Sequence, residues 1–156
     1  NNYLTLNKGV KQCVEPEMGV ISSNGVVGII KNVSDNFSTV LSILHKNSSI
    51  SAKIAGKDYF GSLIWNGKDF KYGLLKDIPS HVKIKNGERI VTSGYSTIFP
   101  EGVLIGTIAG FELIPGDNSY TITVTFSEDY SNLSLVYIVS NLLKKEQDSL
   151  ETNVAE

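Results

Sequence analysis

The sequence predicts an all-β protein built from two small antiparallel β-barrels. Short runs rich in β-branched and aromatic residues recur about every 8 to 12 residues, which is typical of such barrels. Turn-forming pairs such as Asn24-Gly25 and Asn66-Gly67 separate these runs. Residues 121–126 (TITVTF) alternate apolar and polar side chains without error, as a half-buried antiparallel strand does. No amphipathic helical stretch lies between the candidate strands, so a βαβ arrangement is not expected.

A count of candidate strands gives the expected domain layout. Residues 16–79 supply six strands, enough to close a small barrel, whereas residues 80–143 supply only about five, among them short ones at 81–84 and 111–114. We therefore predict that residues 1–15 and 80–143 form one six-stranded barrel, which the N-terminal strand completes. Residues 16–79 would form a second six-stranded barrel inserted into the first, and two consecutive barrels are the alternative.

The ends of these segments carry their own signals. Asp77-Ile78-Pro79 is the expected boundary, because proline removes a donor from the hydrogen-bond ladder. Residues 144–156 are polar, with too few apolar positions to bury a face, and we predict a disordered tail there. The chain begins with Asn1 rather than Met, so we expect a fragment whose natural N-terminus, with any signal or anchor, is missing.

Composition narrows the class of protein. The 156 residues are 41% hydrophobic and 19% charged, which is typical of a soluble globular chain. The net charge of −2 lacks the basic surface that nucleic acid requires. Cys13 is the only cysteine, so no intrachain disulfide can form, and neither a Cys/His zinc site nor a cofactor is expected.

The most distinctive stretch is a strand, a loop and a strand at residues 87–108, GERIVTSGYSTIFPEGVLIGTI. Its loop carries Tyr95, Ile98 and Phe99 just before a Pro-Glu-Gly turn. Nothing in the stretch has the pattern of a metal site, a phosphate loop or a catalytic elbow.

This stretch resembles the signature of the MreC family of rod shape-determining proteins. The family pattern, roughly G-D-x-V-V-T-S-G and then F-P-x-G-I-P-V-G, is met at Gly87, Val91, Thr92, Ser93, Gly94, Phe99, Pro100, Gly102 and Gly106. Glu88 stands where Asp is usual, and Leu104 stands where Pro is common. Residues 16–33 (PEMGVISSNGVVGIIKNV) resemble the family's G-M-x-V-I followed by G-L-V-G-x-V, with Glu17 in place of Gly. The resemblance extends over residues 3–143.

The resemblance implies barrels folded like those of chymotrypsin-type proteases, used as a non-catalytic scaffold at the extracytoplasmic (periplasmic) face of the bacterial inner membrane. It also implies a membrane-spanning helix and a dimerising coiled coil that precede this sequence in the whole protein. The implied partners are a penicillin-binding transpeptidase, MreD, RodA and the actin-like MreB, together with further copies of the chain. The mechanism would be positional, because a scaffold that binds one conformation of a partner raises the population of that conformation.

A barrel pair of this kind requires a search for a catalytic triad. Chain order permits His45, then Asp58 or Asp69, then Ser93. Ser93 lacks a Gly-Asp-Ser-Gly surrounding, and His45 ends an apolar strand as an ordinary polar terminus, so we expect no working triad. A two-barrel serine protease is kept as an alternative.

Two other polar patterns are weaker still. Glu15 and Glu17 could serve as paired carboxylates, but they lie in a polar linker that would not desolvate either of them. The pattern Gly25-Val26-Val27-Gly28 is not a phosphate loop, because no helix follows it, and close backbone packing is the better interpretation.

Tyr95, Ile98, Phe99 and Trp65 are the predicted partner-binding residues. The first three either fold back as a plug over a barrel end or form an exposed patch that docks onto a partner. Trp65 lies in the hairpin of residues 59–75, where core packing is the competing interpretation. A carbohydrate-binding module, with Trp65 stacking on sugar rings, is the second alternative.

Overall fold

The computed structural model describes residues 3–95, 98–113, 115–133 and 135–139, and within them the predicted all-β class is confirmed. The strands are β1 (Tyr3–Leu6), β2 (Gly19–Ser22), β3 (Gly25–Val33), β4 (Ser38–Ser42), β5 (Ser49–Ile54), β6 (Phe60–Trp65), β7 (Tyr72–Pro79), β8 (Arg89–Thr92), β9 (Leu104–Glu112), β10 (Ser119–Phe126) and β11 (Tyr137–Val139). A single 3-10 turn, Val10–Gln12, is the only helical element of these residues. In that part of the chain, no helix has the length and apolarity to span a membrane.

Six consecutive strands close into a barrel in the order β10-β7-β6-β5-β8-β9, so the presence of a closed six-stranded barrel is confirmed, although its strands come from both of the predicted barrels. Every neighbouring pair is antiparallel. Alternate side chains point inward, as Ile50, Ala52 and Ile54 of β5 do, and all three are buried in one apolar cluster. Apolar alternation along the strands therefore builds the core of this barrel.

The other five strands form an open sheet in the order β1-β4-β3-β2-β11, also antiparallel throughout. Its central strand β3 is buried on both faces. Val26 and Ile29 join the cluster that fills the barrel, whereas Val27 and Ile30 belong to a second cluster on the far side of the sheet. The second unit in the described residues is thus a five-stranded sheet and not a closed six-stranded barrel. Its relation to chymotrypsin-type barrels stays a prediction.

Strand pairing divides the chain at different places from the expected boundaries. The N-terminal strand β1 pairs with β4, and β5 pairs with β8 across the expected division. The barrel of residues 49–126 is therefore inserted between β4 and β11 of the sheet. Pro79 lies inside the barrel as the last residue of β7, where it faces Ser119. A terminal strand position tolerates the missing donor of proline.

Three smaller expectations have their outcome here. Residues 81–84, predicted as a strand, form turn and irregular structure, although Val82 and Ile84 are buried in the barrel cluster. Residues 111–112 continue β9 instead of beginning another strand. The predicted tail of residues 144–156 lies outside the described residues.

Candidate partner interface

The loop between β8 and β9 is held by its own hydrogen bonds. The Thr92 hydroxyl donates to the Pro100 carbonyl at 2.6 Å and accepts from the Val103 amide at 2.9 Å. Gly94 and Gly102 adopt φ values of 75° and 93°, a backbone region that favours glycine. The ends of the predicted docking loop are therefore fixed to the barrel.

Phe99 does not belong to an exposed surface. Its side chain is only 3% exposed and is part of the cluster that fills the barrel. The ring lies against Gly19 of β2, where an added Cβ would be 2.5 Å from the Phe99 Cε1 atom. Ile98 is half-buried and packs against the same cluster. The plug interpretation therefore describes these two residues, and Phe99 cannot be a docking anchor.

Tyr95 faces the opposite way and is 74% exposed. Its ring stacks on Phe60 with centroids 4.9 Å apart and planes 25° apart. A separate ring pair involves the preceding residue, Tyr59, which meets His81 edge to face at 5.3 Å, with the Tyr59 hydroxyl 3.2 Å from His81 Nε2. We call the stacked rings of Phe60 and Tyr95 the aromatic patch.

A groove of about 400 Å³ opens beside the aromatic patch, on the outer side of β5, β6 and β7. It is lined by Ser49, Ser51, Phe60, Gly61, Ser62, Asp77 and Tyr95. The Ser51 hydroxyl is 2.7 Å from that of Ser93, which also accepts from the Tyr95 amide at 3.1 Å. Aromatic rings bordered by hydroxyl groups suit an apolar side chain flanked by hydrogen-bonding groups, a common arrangement at protein interfaces.

Trp65 is not brought to this surface. It ends β6, whereas Phe60 begins the same strand. Trp65 is half-buried against the barrel cluster, and its Nε1 donates to the Asp69 carbonyl at 2.8 Å. The structure therefore separates the four predicted residues into one exposed ring, two core side chains and one hairpin tryptophan.

Phe60 of the aromatic patch is absent from the predicted partner-binding residues, although the alternation of β6 indicates its position. In β6, Gly61 and Leu63 are buried, so Phe60 lies on the outer face with Ser62. Alternation thus predicts an exposed Phe60. Its contact with Tyr95 is set by the loop, which alternation does not describe.

The candidate triad is not assembled. His45 Nδ1 accepts from the Asn47 amide at 3.0 Å, and its ring packs against Tyr3. The Ser93 hydroxyl is engaged by Ser51 and Tyr95, as described above. A nucleophilic serine needs its base within hydrogen-bond reach, and neither residue has such a contact with the other.

The other polar candidates have structural roles. Glu17 lies 3.5 Å from Lys31 Nζ in an exposed ion pair. A Cβ on Gly28 would be 2.3 Å from the Leu41 carbonyl oxygen, so close backbone packing is confirmed there.

Polar contacts also fix the sheet to the barrel. The Tyr130 hydroxyl donates to the Val26 carbonyl at 2.6 Å, and the Ser22 hydroxyl donates to the buried Glu128 carboxylate. Burial, with a smaller contribution from the Glu128 charge, raises the pKa of Tyr130 well above its usual range. Hydrogen bonds from Ser131 lower the pKa of the exposed Asp129 carboxyl. The orientation of the sheet on the barrel is thus set by specific contacts as well as by the shared core.

Comparison with known proteins identifies the family. Residues 1–140 match the family model for Rod shape-determining protein MreC, barrel core. Cell shape-determining protein MreC of Listeria monocytogenes is 31% identical over 142 residues, which are 89% of this chain and 48% of that protein. MreC of Bacillus subtilis is 30% identical over 151 residues, 88% of this chain and 51% of that protein. The chain spans about half the length of these curated relatives.

Solved structures share the fold. An MreC structure from Listeria monocytogenes matches with a TM-score of 0.84 at 30% identity, over 90% of this chain and 69% of that one. A complex between Penicillin-Binding Protein (PBP2) and MreC from Helicobacter pylori contains a chain that matches with a TM-score of 0.72 at 22% identity, over 90% and 88%. Neither a serine protease nor a carbohydrate-binding module is supported. The chain belongs to the MreC family of non-catalytic, cell shape-determining proteins.

Proposed function

We propose that this chain is the part of a periplasmic scaffold that binds and positions peptidoglycan-synthesis proteins, and thereby maintains rod cell shape. The Helicobacter pylori relative was solved in complex with PBP2, which supports a penicillin-binding transpeptidase as partner. Another structural neighbour, with a TM-score of 0.74 at 22% identity, is the major periplasmic domain of the cell shape-determining filament MreC. That neighbour supports the periplasmic location and self-assembly.

The whole protein would have further contacts. We extend the proposal to an N-terminal helix that anchors it in the inner membrane, and to MreD, RodA and the MreB system as partners. Within the described residues, the barrel and the sheet offer surfaces for the transpeptidase and for self-assembly.

The observation that carries transpeptidase binding is the exposed stack of Tyr95 on Phe60 beside the groove. The stack stands on a closed barrel, and its loop is fixed at both ends. An anchor that is already ordered loses little conformational entropy on binding. We assign the aromatic patch to an apolar segment of the transpeptidase, with the groove serines as hydrogen-bonding groups at its edge.

The test is the affinity of the 156-residue chain for the soluble domain of the transpeptidase from the same organism. Tyr95→Ala and Phe60→Ala should each lose about 2 kcal/mol of binding free energy, or roughly 30-fold in Kd, as central interface aromatics do. Phe111→Ala is the matched control, because Phe111 is also an exposed strand aromatic in a ring pair, 5.6 Å from Tyr120, but lies outside the patch. Its Kd should equal that of the parent.

Three results would count against this proposal. Equal losses in all three variants would point to a general effect of surface aromatics rather than to a docking site. Unchanged affinity in Tyr95→Ala and Phe60→Ala would place the interface elsewhere, and no binding by the parent would remove the support for the transpeptidase as partner. Because a scaffold acts by binding one conformation of its partner more tightly, the bound transpeptidase should also show a shifted conformational equilibrium.

A further inference from the structure

The first strand of the sheet is an edge strand with an open side. β1 pairs with β4 from Tyr3↔Leu41 to Leu6↔Ser38 without a register shift. In the described residues no strand pairs with its other side. An open edge carries unpaired backbone donors and acceptors that can bind another strand.

β1 is short, with four residues, but it lacks the other features that usually protect an edge. Its sequence, Tyr-Leu-Thr-Leu, has no charged residue and no proline, and its ladder has no bulge. Tyr3 and Thr5 are exposed, and both residue types favour strands. Leu4 and Leu6 are half-buried on the other face, where they pack against the second apolar cluster.

We propose that β1 binds β1 of a second copy of this chain in an antiparallel pair about a two-fold axis. The proposal rests on the self-assembly part of the proposed function and names the surface for it. Five antiparallel strands leave both sheet edges, β1 and β11, running in the same direction. If β11 of one copy paired with β1 of the next copy in the same orientation, the two strands would be parallel. Pairing of β1 with β1 about a two-fold axis is antiparallel, like every other ladder of the sheet.

The alternation of β1 restricts the register. A two-fold axis perpendicular to the sheet keeps the inner faces of both copies on one side, so each residue must pair with one of the same face. Of the registers that satisfy this condition, the proposal takes the one centred on Thr5, in which Thr5 lies opposite Thr5 of the second copy and Leu4 lies opposite Leu6. The apolar cluster on this side of the sheet would continue across the join.

Space for the incoming leucine lies beside Leu6. A cleft of about 540 Å³ opens there, and its lining includes Leu6, Val14, Met18 and Ile138. Leu4 of the second copy, paired with Leu6, would enter this cleft, and the two-fold axis makes the contact reciprocal. A net charge of only −2 offers little long-range repulsion between copies.

The first experiment is sedimentation equilibrium of the 156-residue chain from low micromolar to near-millimolar concentration. Thr5→Lys places two like charges directly opposite each other at the axis, which should weaken the dimer by roughly tenfold or more. The matched control is Thr123→Lys, because Thr123 is a strand threonine of β10 with neighbours on both sides in the closed barrel. That variant should associate like the parent.

The second experiment tests the register with a disulfide. In a Cys13→Ser background, Thr5→Cys should form a covalent dimer under mild oxidation, because directly opposite residues have Cα atoms about 4.5 to 5.5 Å apart, within disulfide range. Phe111→Cys in the same background should stay monomeric. Circular dichroism confirms that each variant is folded before it is compared.

A parent chain that stays monomeric, or a Thr5→Lys variant that associates like the parent, would overturn the proposal. Association lost instead in Tyr137→Lys would move the interface to β11 and also overturn it. Transpeptidase affinity of Thr5→Lys is measured separately and should equal that of the parent, because the aromatic patch lies on the barrel. Failure of the edge pairing is thus distinguishable from failure of the transpeptidase assignment.

Discussion

Replacement of Phe99 by alanine should destabilise the fold, although Phe99 and the exposed Tyr95 lie in the same loop. Phe99 is 3% exposed, and its ring contacts Gly19 of the sheet while it belongs to the barrel cluster. Deletion of a buried Phe side chain costs about 3 to 5 kcal/mol, through lost transfer free energy and the cavity that is left. Because the ring is enclosed by the sheet on one side and the barrel cluster on the other, we expect a loss of about 4 kcal/mol.

Tyr95→Ala is the internal control for this prediction. Its ring contact with Phe60 is exposed, so the loss should lie near or below the lower end of the ~0.5 to 1.5 kcal/mol measured for aromatic pairs. Urea unfolding followed by fluorescence of Trp65, the single tryptophan, gives both values. A loss below about 1.5 kcal/mol in Phe99→Ala, or equal losses in the two variants, would refute the assignment of Phe99 to the core.

Gly19 allows a second check on the same contact. An alanine Cβ at this position would lie 2.5 and 2.6 Å from two Phe99 ring carbons, so Gly19→Ala should destabilise the parent. In the Phe99→Ala background the added methyl enters the space that the ring has left. The cost of Gly19→Ala should therefore fall by about 0.5 to 3 kcal/mol in a double-mutant cycle. An additive pair would mean that the two residues are not in contact.

Three further predictions follow from single contacts. Because the fold raises the pKa of Tyr130, the unfolded chain loses the Tyr130 proton at a lower pH than the folded chain does. Above about pH 10 the free energy of unfolding should therefore fall by at most about 1.4 kcal/mol per pH unit. Urea titrations should show a shallower fall in Tyr130→Phe, and equal slopes in the two proteins would contradict the assignment. Gly61→Ala should cost about 1 to 3 kcal/mol, since its Cβ would lie 1.9 Å from the Lys76 carbonyl oxygen, whereas a loss below ~0.5 kcal/mol would show that the barrel adjusts easily. Ser93 should not react with a serine-directed phosphonate under conditions that label a control protease, because its hydroxyl has no histidine partner. Covalent labelling of Ser93, seen by mass spectrometry, would reopen the protease alternative.

The individual strands could be predicted from the sequence because their signals are local. Alternation in residues 121–126 gives β10, and the Asn66-Gly67 turn separates β6 from β7. The barrel core is the set of apolar residues that this alternation points inward. These features depend on neighbours along the chain, and a single sequence records such neighbours directly.

The division of the chain could not be predicted by counting strands, because pairing is decided by contacts that are distant in sequence. Ala52 lies opposite Thr92, forty residues later, and this pairing joins β5 to β8 and makes a boundary at Pro79 impossible. Pro79 does not divide the chain, because the last position of β7 does not need the donor that proline lacks. The chain has one inserted unit, but the inserted unit is the barrel and the interrupted unit is the sheet.

The loop that carries the family resemblance illustrates why the site was only partly predictable. Tyr95 and Phe99 are both large aromatic residues in one short loop, and composition gives no reason to separate them. The separation comes from Gly19 and Phe60, which lie far away in sequence: the missing side chain of Gly19 provides room for the Phe99 ring, and Phe60 provides an exposed surface on which Tyr95 stacks. The same short loop therefore packs one aromatic residue between the sheet and the barrel and leaves the other exposed. A substitution at Phe99 would disturb binding only through the fold, whereas one at Tyr95 would test the proposed interface, and the two effects can be separated by measuring stability and affinity on the same variants.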